Sequence, residues 1–348
     1  MRRFLLKSSR RRLRPSAKFI DMAETAALLA GGTGRTSRPA FLSRLRNGDE
    51  AAHLLTLIFA ATILLIATLL VLELFRSSVE ARQKFGWAFF LTSKWDPVAG
   101  QFGALPFIYG TVVTSAVALL ISVPLGLGAA IFLSELAPPR ISDALTFIIE
   151  LLAAVPSVIY GLLAVFALVP LLRDPVQPFL HRHLGFFPFF QGPSYGVGFL
   201  AAGVILAIMV LPFIISISRE SLLAVPNEQR EAALAVGATR WESTWQVVVP
   251  YARLGIVGSI FLALARALGE TMAVTMVIGN TPQIVTSLFA TGYTIPAVIA
   301  NEFTEATENL HLSALVELGL VLFLLTIVIN GFARLMVLAT TRRGTTPT

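Results

Sequence analysis

The chain alternates between long apolar runs and short polar intervals. A helix that crosses a bilayer needs about 20 mostly apolar residues at 1.5 Å rise. Six stretches meet that length: residues 54–72, 107–134, 144–172, 197–218, 254–279 and 312–333. The first, second and fourth carry no charge; the third holds Glu150, the fifth Arg266 and Glu270, and the sixth Glu317. Pro124, Pro156 and Pro212 fall inside three of the runs. Membrane helices tolerate such breaks where neighbours satisfy the freed carbonyls. The pattern predicts an all-α, polytopic membrane protein with six transmembrane helices.

Composition agrees. Of 348 residues, 55% are hydrophobic and 14% charged, with mean hydropathy +0.77. A soluble domain carries about 25% charged residues. The net charge of +7 could suggest a nucleic-acid partner, but 12 of the 27 Lys and Arg lie in residues 1–52. A basic tail beside apolar segments is what the cytoplasmic end of a membrane protein looks like, and it suits an anionic lipid surface rather than nucleic acid. There is no cysteine, so disulfides and thiolate chemistry are excluded. The four histidines, with only His181 and His183 close together, make no metal set.

Lys and Arg bias sets an expected orientation. With the N-terminus inside, the inner parts hold 20 Lys and Arg and the outer parts 6; without the tail the split is 8 to 6 in the same direction. Both termini are therefore expected in the cytoplasm. The expected organisation is a basic tail (1–52), a permease-like membrane domain (53–340, core 107–338) and a cytoplasmic end (341–348). Arg2 to Lys7 faintly resembles a twin-arginine signal, but such a signal needs an apolar run soon after it, and Ser8 to Lys18 follows instead, with five more basic residues and a proline. Ala30 to Thr36 faintly resembles a phosphate loop, but the lysine and the preceding strand are missing. No ATP site is expected on this chain.

The most informative interval is 219–253, expected on the inner face. Asn227 follows Pro226 as a candidate N-cap, Ala232 to Ala235 favour helix, and Gly237 suits a left-handed cap. Thr239 to Glu242 has the spacing of a capping box opening a second helix, with Trp241 and Trp245 one turn apart. By residues alone this is either a docking loop for a partner or a plain amphipathic inner loop. Glu231-Ala232-Ala233, three residues, Gly237, nine residues and then Val247 to Pro250 resembles the EAA loop of bacterial ABC importer permeases. Val247 and Val249 stand where that pattern has isoleucine and leucine.

Further stretches narrow the resemblance. Trp87 to Leu91, Trp95-Asp96-Pro97, Phe102 to Thr111, Glu150 to Gly161 and Arg266 to Ala273 are similar to the PstC-type permeases of bacterial phosphate importers. The resemblance covers residues 85–338. It implies type I ABC importer permease architecture in the bacterial inner membrane, and a transport subunit rather than an enzyme. It also implies partners: a second, PstA-like permease subunit, a PstB-like ATPase dimer docked on Glu231, Ala232, Ala233, Gly237 and Pro250, and a periplasmic PstS-like phosphate-binding protein. ATP and Mg would sit on the ATPase subunits, leaving this chain without a cofactor. Sulfate and molybdate permeases are the nearest rivals, but should lack the Phe102 to Thr111 run. A secondary transporter should show inverted repeats, which are not evident. A membrane scaffold or sensor would leave the loop spacing unexplained.

Ionisable side chains within a bilayer are costly and mark function. Arg266 and Glu270 are four apart, so a continuous helix would place them on one face. The planar arginine fork suits a phosphate oxyanion, and Glu270 could orient it. Glu150, Glu317, Ser157 and Tyr160 are weaker candidates for the same pathway. Hydroxyls such as Thr111 and Ser115 more often join helices to one another.

The orientation is testable because the chain lacks cysteine. A cysteine at Thr304 should react with an impermeant thiol reagent from the periplasmic side, and one at Thr239 should not. The reverse pattern of labelling would overturn it.

Overall fold

The computed structural model describes residues 48–342, with side chains from 52 to 335. The tail 1–47, with the Arg2 and Ala30 segments discussed above, lies outside the described residues, as does 343–348. Residues 1–68 and 69–348 are separate units. Among the described residues there is no strand. Six of the helices among the described residues are long and apolar enough to cross a membrane.

In chain order the elements are α1 (Gly48–Ser77), α2 (Val79–Phe85), α3 (Ala88–Leu91) and α4 (Leu105–Leu136). Then come α5 (Pro139–Ala153), α6 (Ser157–Leu184), α7 (Phe199–Leu223), α8 (Asn227–Ala235) and α9 (Arg240–Gly269). Last are α10 (Met272–Ile278), α11 (Ile295–Glu302) and α12 (Asn309–Arg342). The spans are α1, α4, α6, α7, α9 and α12.

Two spans differ from the hydropathy reading. The run 144–172 is not one helix: α5 stops at Ala153, and Pro156 opens α6, which continues to Leu184. Proline has no N–H and would clash with the preceding turn, so a helix restarts there instead of continuing. The run 254–279 is also divided. Helix α9 starts earlier, at Arg240, and ends at Gly269, where Glu270 turns to φ −71°, ψ 129°. By contrast, Pro124 and Pro212 sit inside unbroken α4 and α7, as membrane helices allow.

The central element is α7. Its Phe199, Ile205, Leu206, Met209 and Ile214 are fully buried among α4, α6, α9 and α10. The tip of α7 is held by the end of α10 and by the non-helical chain that follows it. Gly198 N–H donates to the Val277 carbonyl, Phe199 N–H to Ala290 and Leu200 N–H to Leu288. These are first-turn donors that have no partner within their own helix. Tyr109 of α4 donates to the Val285 carbonyl at 2.6 Å, tying the same segment to a second span.

At that end of α4 a second cluster forms. Phe89, Phe102, Phe107 and Tyr293 are buried with Leu315 and Leu318 of α12. Trp95 donates to Glu302 at 2.9 Å, and His311 lies 3.0 Å from the same carboxylate oxygen. Burial pushes the Tyr293 hydroxyl up to about 12, so it stays protonated and accepts from Asn301 at 3.0 Å. Thr111 does join helices: its hydroxyl accepts from Ile295 N–H at 3.0 Å. A third cluster, with Ala130, Ile131, Leu222, Val225, Val248 and Ala252, sits at the opposite end of α4.

Lipid offers no hydrophobic drive between helices, so close contact supplies the packing energy. Gly110 is such a contact. A Cβ there would overlap the Tyr293 carbonyl oxygen, whereas Gly128 on the same helix has nothing within 4 Å. Gly110→Ala is expected to lower the thermal stability of the purified protein and its abundance in membranes. Gly128→Ala is expected to leave both unchanged. Melting curves and membrane immunoblots of the two variants check this.

Candidate functional site

Two places gather the residues singled out by sequence. The first is the break between α9 and α10. Arg266 is in the last turn of α9, where the negative end of the helix dipole favours a cation. Because α9 begins at Arg240, Arg266 stands at the end of its helix rather than midway along it. Glu270 is past that end. The two are therefore not on one helix face, and they form no ion pair within 4 Å. The sequence expectation assumed a continuous helix through Gly269-Glu270-Thr271, and the chain breaks there.

Each partner does something else. The Arg266 guanidinium lies over the Phe213 ring of α7, 4.7 Å from its centroid. A cation over an aromatic face gains attraction that grows as water is excluded. Its Nε is buried and has no hydrogen-bond partner. Glu270 is 9% exposed and its Oε1 accepts from Ala273 N–H at 3.3 Å, which caps the start of α10. The α6 start packs against the same helix: a Cβ at Gly161 would meet Met276 and Ala273. Tyr160, buried next to Gly161, donates to the Leu152 carbonyl across the Pro156 break at 2.7 Å.

Two interrupted helices thus meet here, with Arg266, Glu270 and Tyr160 around the junction. Ser157 is half-buried at the first residue of α6. The other carboxylates are elsewhere. Glu150 is exposed in the last turn of α5. Glu317 is buried on α12 at 2% exposure, and its Oε2 has no partner. That part of α12 packs against α2, where Ala81 N–H donates to Ser313 Oγ at 3.0 Å.

The second place is the 219–253 loop. Helix α8 starts at Asn227, so Pro226 is the cap residue and Asn227 the first helical position, one residue earlier than the sequence spacing suggested. A proline at φ −58° already holds the extended geometry that enters a helix. The far end of α8 closes as expected. Gly237 takes φ +90°, its N–H donates to Leu234, and Ala238 N–H donates to Ala233. That pair of bonds is a Schellman motif. Thr239 then caps α9, accepting from Glu242 N–H while the Glu242 carboxylate accepts from Thr239 N–H at 2.8 Å. Glu231, Ala232, Gly237 and Pro250 are exposed, and Ala233 is half-buried. Trp241 and Trp245 pack edge to face, 5.6 Å apart, and both remain exposed.

Sequence reading missed the residues that hold this loop in place. Arg230, just before Glu231, forms an ion pair with Glu135 at 2.9 Å. Glu135 falls one residue past the apolar run 107–134, and that position beside a span was the available signal. Phe213 was missed too, since nothing in its spacing marks an arginine partner.

Comparison with known proteins agrees with this architecture. The family described as binding-protein-dependent transport system inner membrane component matches residues 122–342. The phosphate transport system permease protein PstC of Mesorhizobium japonicum is 48% identical over 308 residues, covering 87% of this chain and 94% of its own. That of Haemophilus influenzae is 46% identical over 286 residues, covering 81% and 90%. A crystal structure of a bacterial ABC transporter that imports the acidic polysaccharide alginate aligns with TM-score 0.57 at 19% identity, over 87% of this chain and all of that one. At that identity it speaks to the fold alone. A multi-pass chain of broken helices with an EAA-type loop is an ABC importer permease, a transport component rather than an enzyme. This one belongs to the PstC family of phosphate transport system permeases.

Gly237 gives the loop its test. No atom lies within 4 Å of a Cβ built there, so a side chain meets only backbone strain. A β-branched residue in that conformation costs about 1–2 kcal/mol. Gly237→Val should reach the membrane normally yet show weakened ATPase association or reduced phosphate uptake. Full uptake by a well-expressed Gly237→Val protein would break the link between the turn and coupling.

Proposed function

We propose that this chain is one of two pore-forming subunits of an ATP-driven importer of inorganic phosphate in the bacterial inner membrane, with both termini cytoplasmic. A PstA-like permease would be the second pore subunit. A PstB-like ATPase dimer would bind ATP and Mg and dock on the exposed side of α8. A PstS-like protein would deliver phosphate from the periplasm. The chain itself would bind no cofactor. The names of its relatives and the loop geometry support this assembly.

The observation that carries the substrate reading is the free donor of Arg266. Its buried Nε–H has no protein acceptor, and the guanidinium stands at a helix break beside a phenylalanine face. A planar fork with unfilled donors in a low-dielectric setting suits the oxygens of a phosphate anion. Glu270, engaged with Ala273, keeps the α10 start in place next to it, and Tyr160 is buried in the same cluster as Ala267 and Ala273. Glu150, Ser157 and Glu317 remain weaker candidates; Glu150 is exposed, and Glu317 lies with the α2–α12 contact rather than at this break.

The three variants Arg266→Gln, Arg266→Lys and Glu270→Gln separate these roles. Arg266→Gln should abolish phosphate uptake while the ATPase subunits still co-purify. Arg266→Lys keeps the charge but not the fork, so it should retain only a fraction of uptake. Glu270→Gln should lower protein abundance through the α10 cap more than it lowers uptake per molecule. Uptake and membrane abundance must be read together. Wild-type uptake by Arg266→Gln would remove the arginine from the pathway.

A further inference from the structure

The most heavily bonded side chain on α8 is one that faces inward. Arg230 Nη2 donates to Glu135 Oε1 at 2.9 Å and to the Leu222 carbonyl at 2.7 Å. Its Nε donates to Glu135 Oε2 at 3.2 Å. Its Nη1 donates to the Val225 carbonyl and, at 3.3 Å, to Asn227 Oδ1. These acceptors belong to different parts of the fold. Leu222 is in the last turn of α7, and Val225 follows it before Pro226. Glu135 is in the π-helical turn Phe132–Leu136 that ends α4. One guanidinium therefore fastens α8 to two membrane spans.

The setting makes the joint stiff. The side chains of Arg230 and Glu135 are 18% and 11% exposed, so water and salt screen them little. The two carbonyls at the end of α7 carry partial negative charge that favours a cation. A forked, two-bond contact fixes direction as well as distance. Leu222, Val225 and Val248 pack together just beneath it. One residue further on, Glu231 and Ala232 are exposed. So α8 offers one side to a partner and is clamped on the other. Elsewhere α8 meets the spans at the Pro226 entry, at the Gly237 turn and against the first turns of α9.

We infer that Arg230 and Glu135 are positioning residues for transport: they make α8 move as one body with α4 and α7, so that a displacement imposed on α8 reaches the spans. The inference rests on reading 219–253 as the ATPase-coupling loop. It assigns the joint to Arg230 rather than to the exposed Glu231.

Arg230→Lys and Glu135→Gln test it in the assembled importer, reconstituted in lipid with its ATPase and phosphate-binding partners. Lysine keeps the charge but cannot reach a forked carboxylate and two carbonyls together. Glutamine keeps the shape of Glu135 and carries the test if the lysine variant fails to accumulate. Both variants should retain the ATPase subunits and hydrolyse ATP near the parental rate. Phosphate carried per ATP should fall roughly tenfold or more, the scale of losing one hydrogen bond to a charged group. Spin labels on Leu136→Cys and Glu228→Cys, placed in the cysteine-free chain, should give a narrow distance distribution in the parent and a broad one with Arg230→Lys.

An unchanged phosphate-to-ATP ratio in both variants would overturn the joint. So would an unbroadened distance distribution. Loss of the ATPase subunits would make Arg230 a docking residue and also defeat the inference. If the parent complex moves no phosphate at all, the importer reading fails, while the label distances still judge the joint.

Discussion

Backbone that leaves helical geometry inside a membrane protein must find partners within the protein, since lipid supplies none. This chain meets that demand at one place above all. The first amides of α7 donate into the carbonyls of residues 277–290, and Tyr109 donates into the same segment. The arrangement satisfies the orphan donors of a helix start together with an end carbonyl of α10 and acceptors of the non-helical stretch after it. With its tip fixed this way, α7 can be buried along its length, and α4, α6, α9 and α10 pack on it. The α9–α10 break is affordable next to that post, because Glu270 meets Ala273 N–H and Phe213 of α7 meets Arg266.

The two ends of α7 thus have contrasting attachments. One end is tied by backbone amides to an extended segment. The other is tied by its last carbonyls to Arg230, and through it to α8 and α4. Between these ends lies the junction of broken helices with Arg266 and Tyr160. A motion entering at α8 has a continuous, packed route towards that junction without crossing a loop.

Much of this was legible in the sequence, and the failures share a cause. Six spans follow from hydropathy because apolar length is a property of composition. The EAA spacing, the Gly237 turn and the Thr239 capping box follow because each depends on a few neighbouring residues. The breaks at Pro156 and Glu270 were not legible in the same way. Pro124 and Pro212 look identical to Pro156 in a hydropathy trace, yet only Pro156 starts a new helix. Nothing in Gly269-Glu270-Thr271 announces a stop, so Arg266 and Glu270 were read as helix neighbours. What decides these cases is tertiary: which carbonyls have another helix beside them. For the same reason the clamp on α8 was missed, since Glu135 and Arg230 are 95 residues apart.

The π-helical turns carry a consequence of their own. Among the described residues, three interrupt spans, at Ala164–Leu168, Leu172–Val176 and Thr244–Val248, and a fourth, Phe132–Leu136, ends α4. Each holds an extra residue within one turn, and one residue corresponds to about 100° of helix rotation. The turn at Thr244–Val248 therefore sets the phase of everything after it in α9. It lets the amino end of α9 obey the Thr239 cap while the carboxyl end obeys Phe213, two demands that a uniform helix would have to meet with a single angular register. Phase, rather than length, is what this span has adjusted.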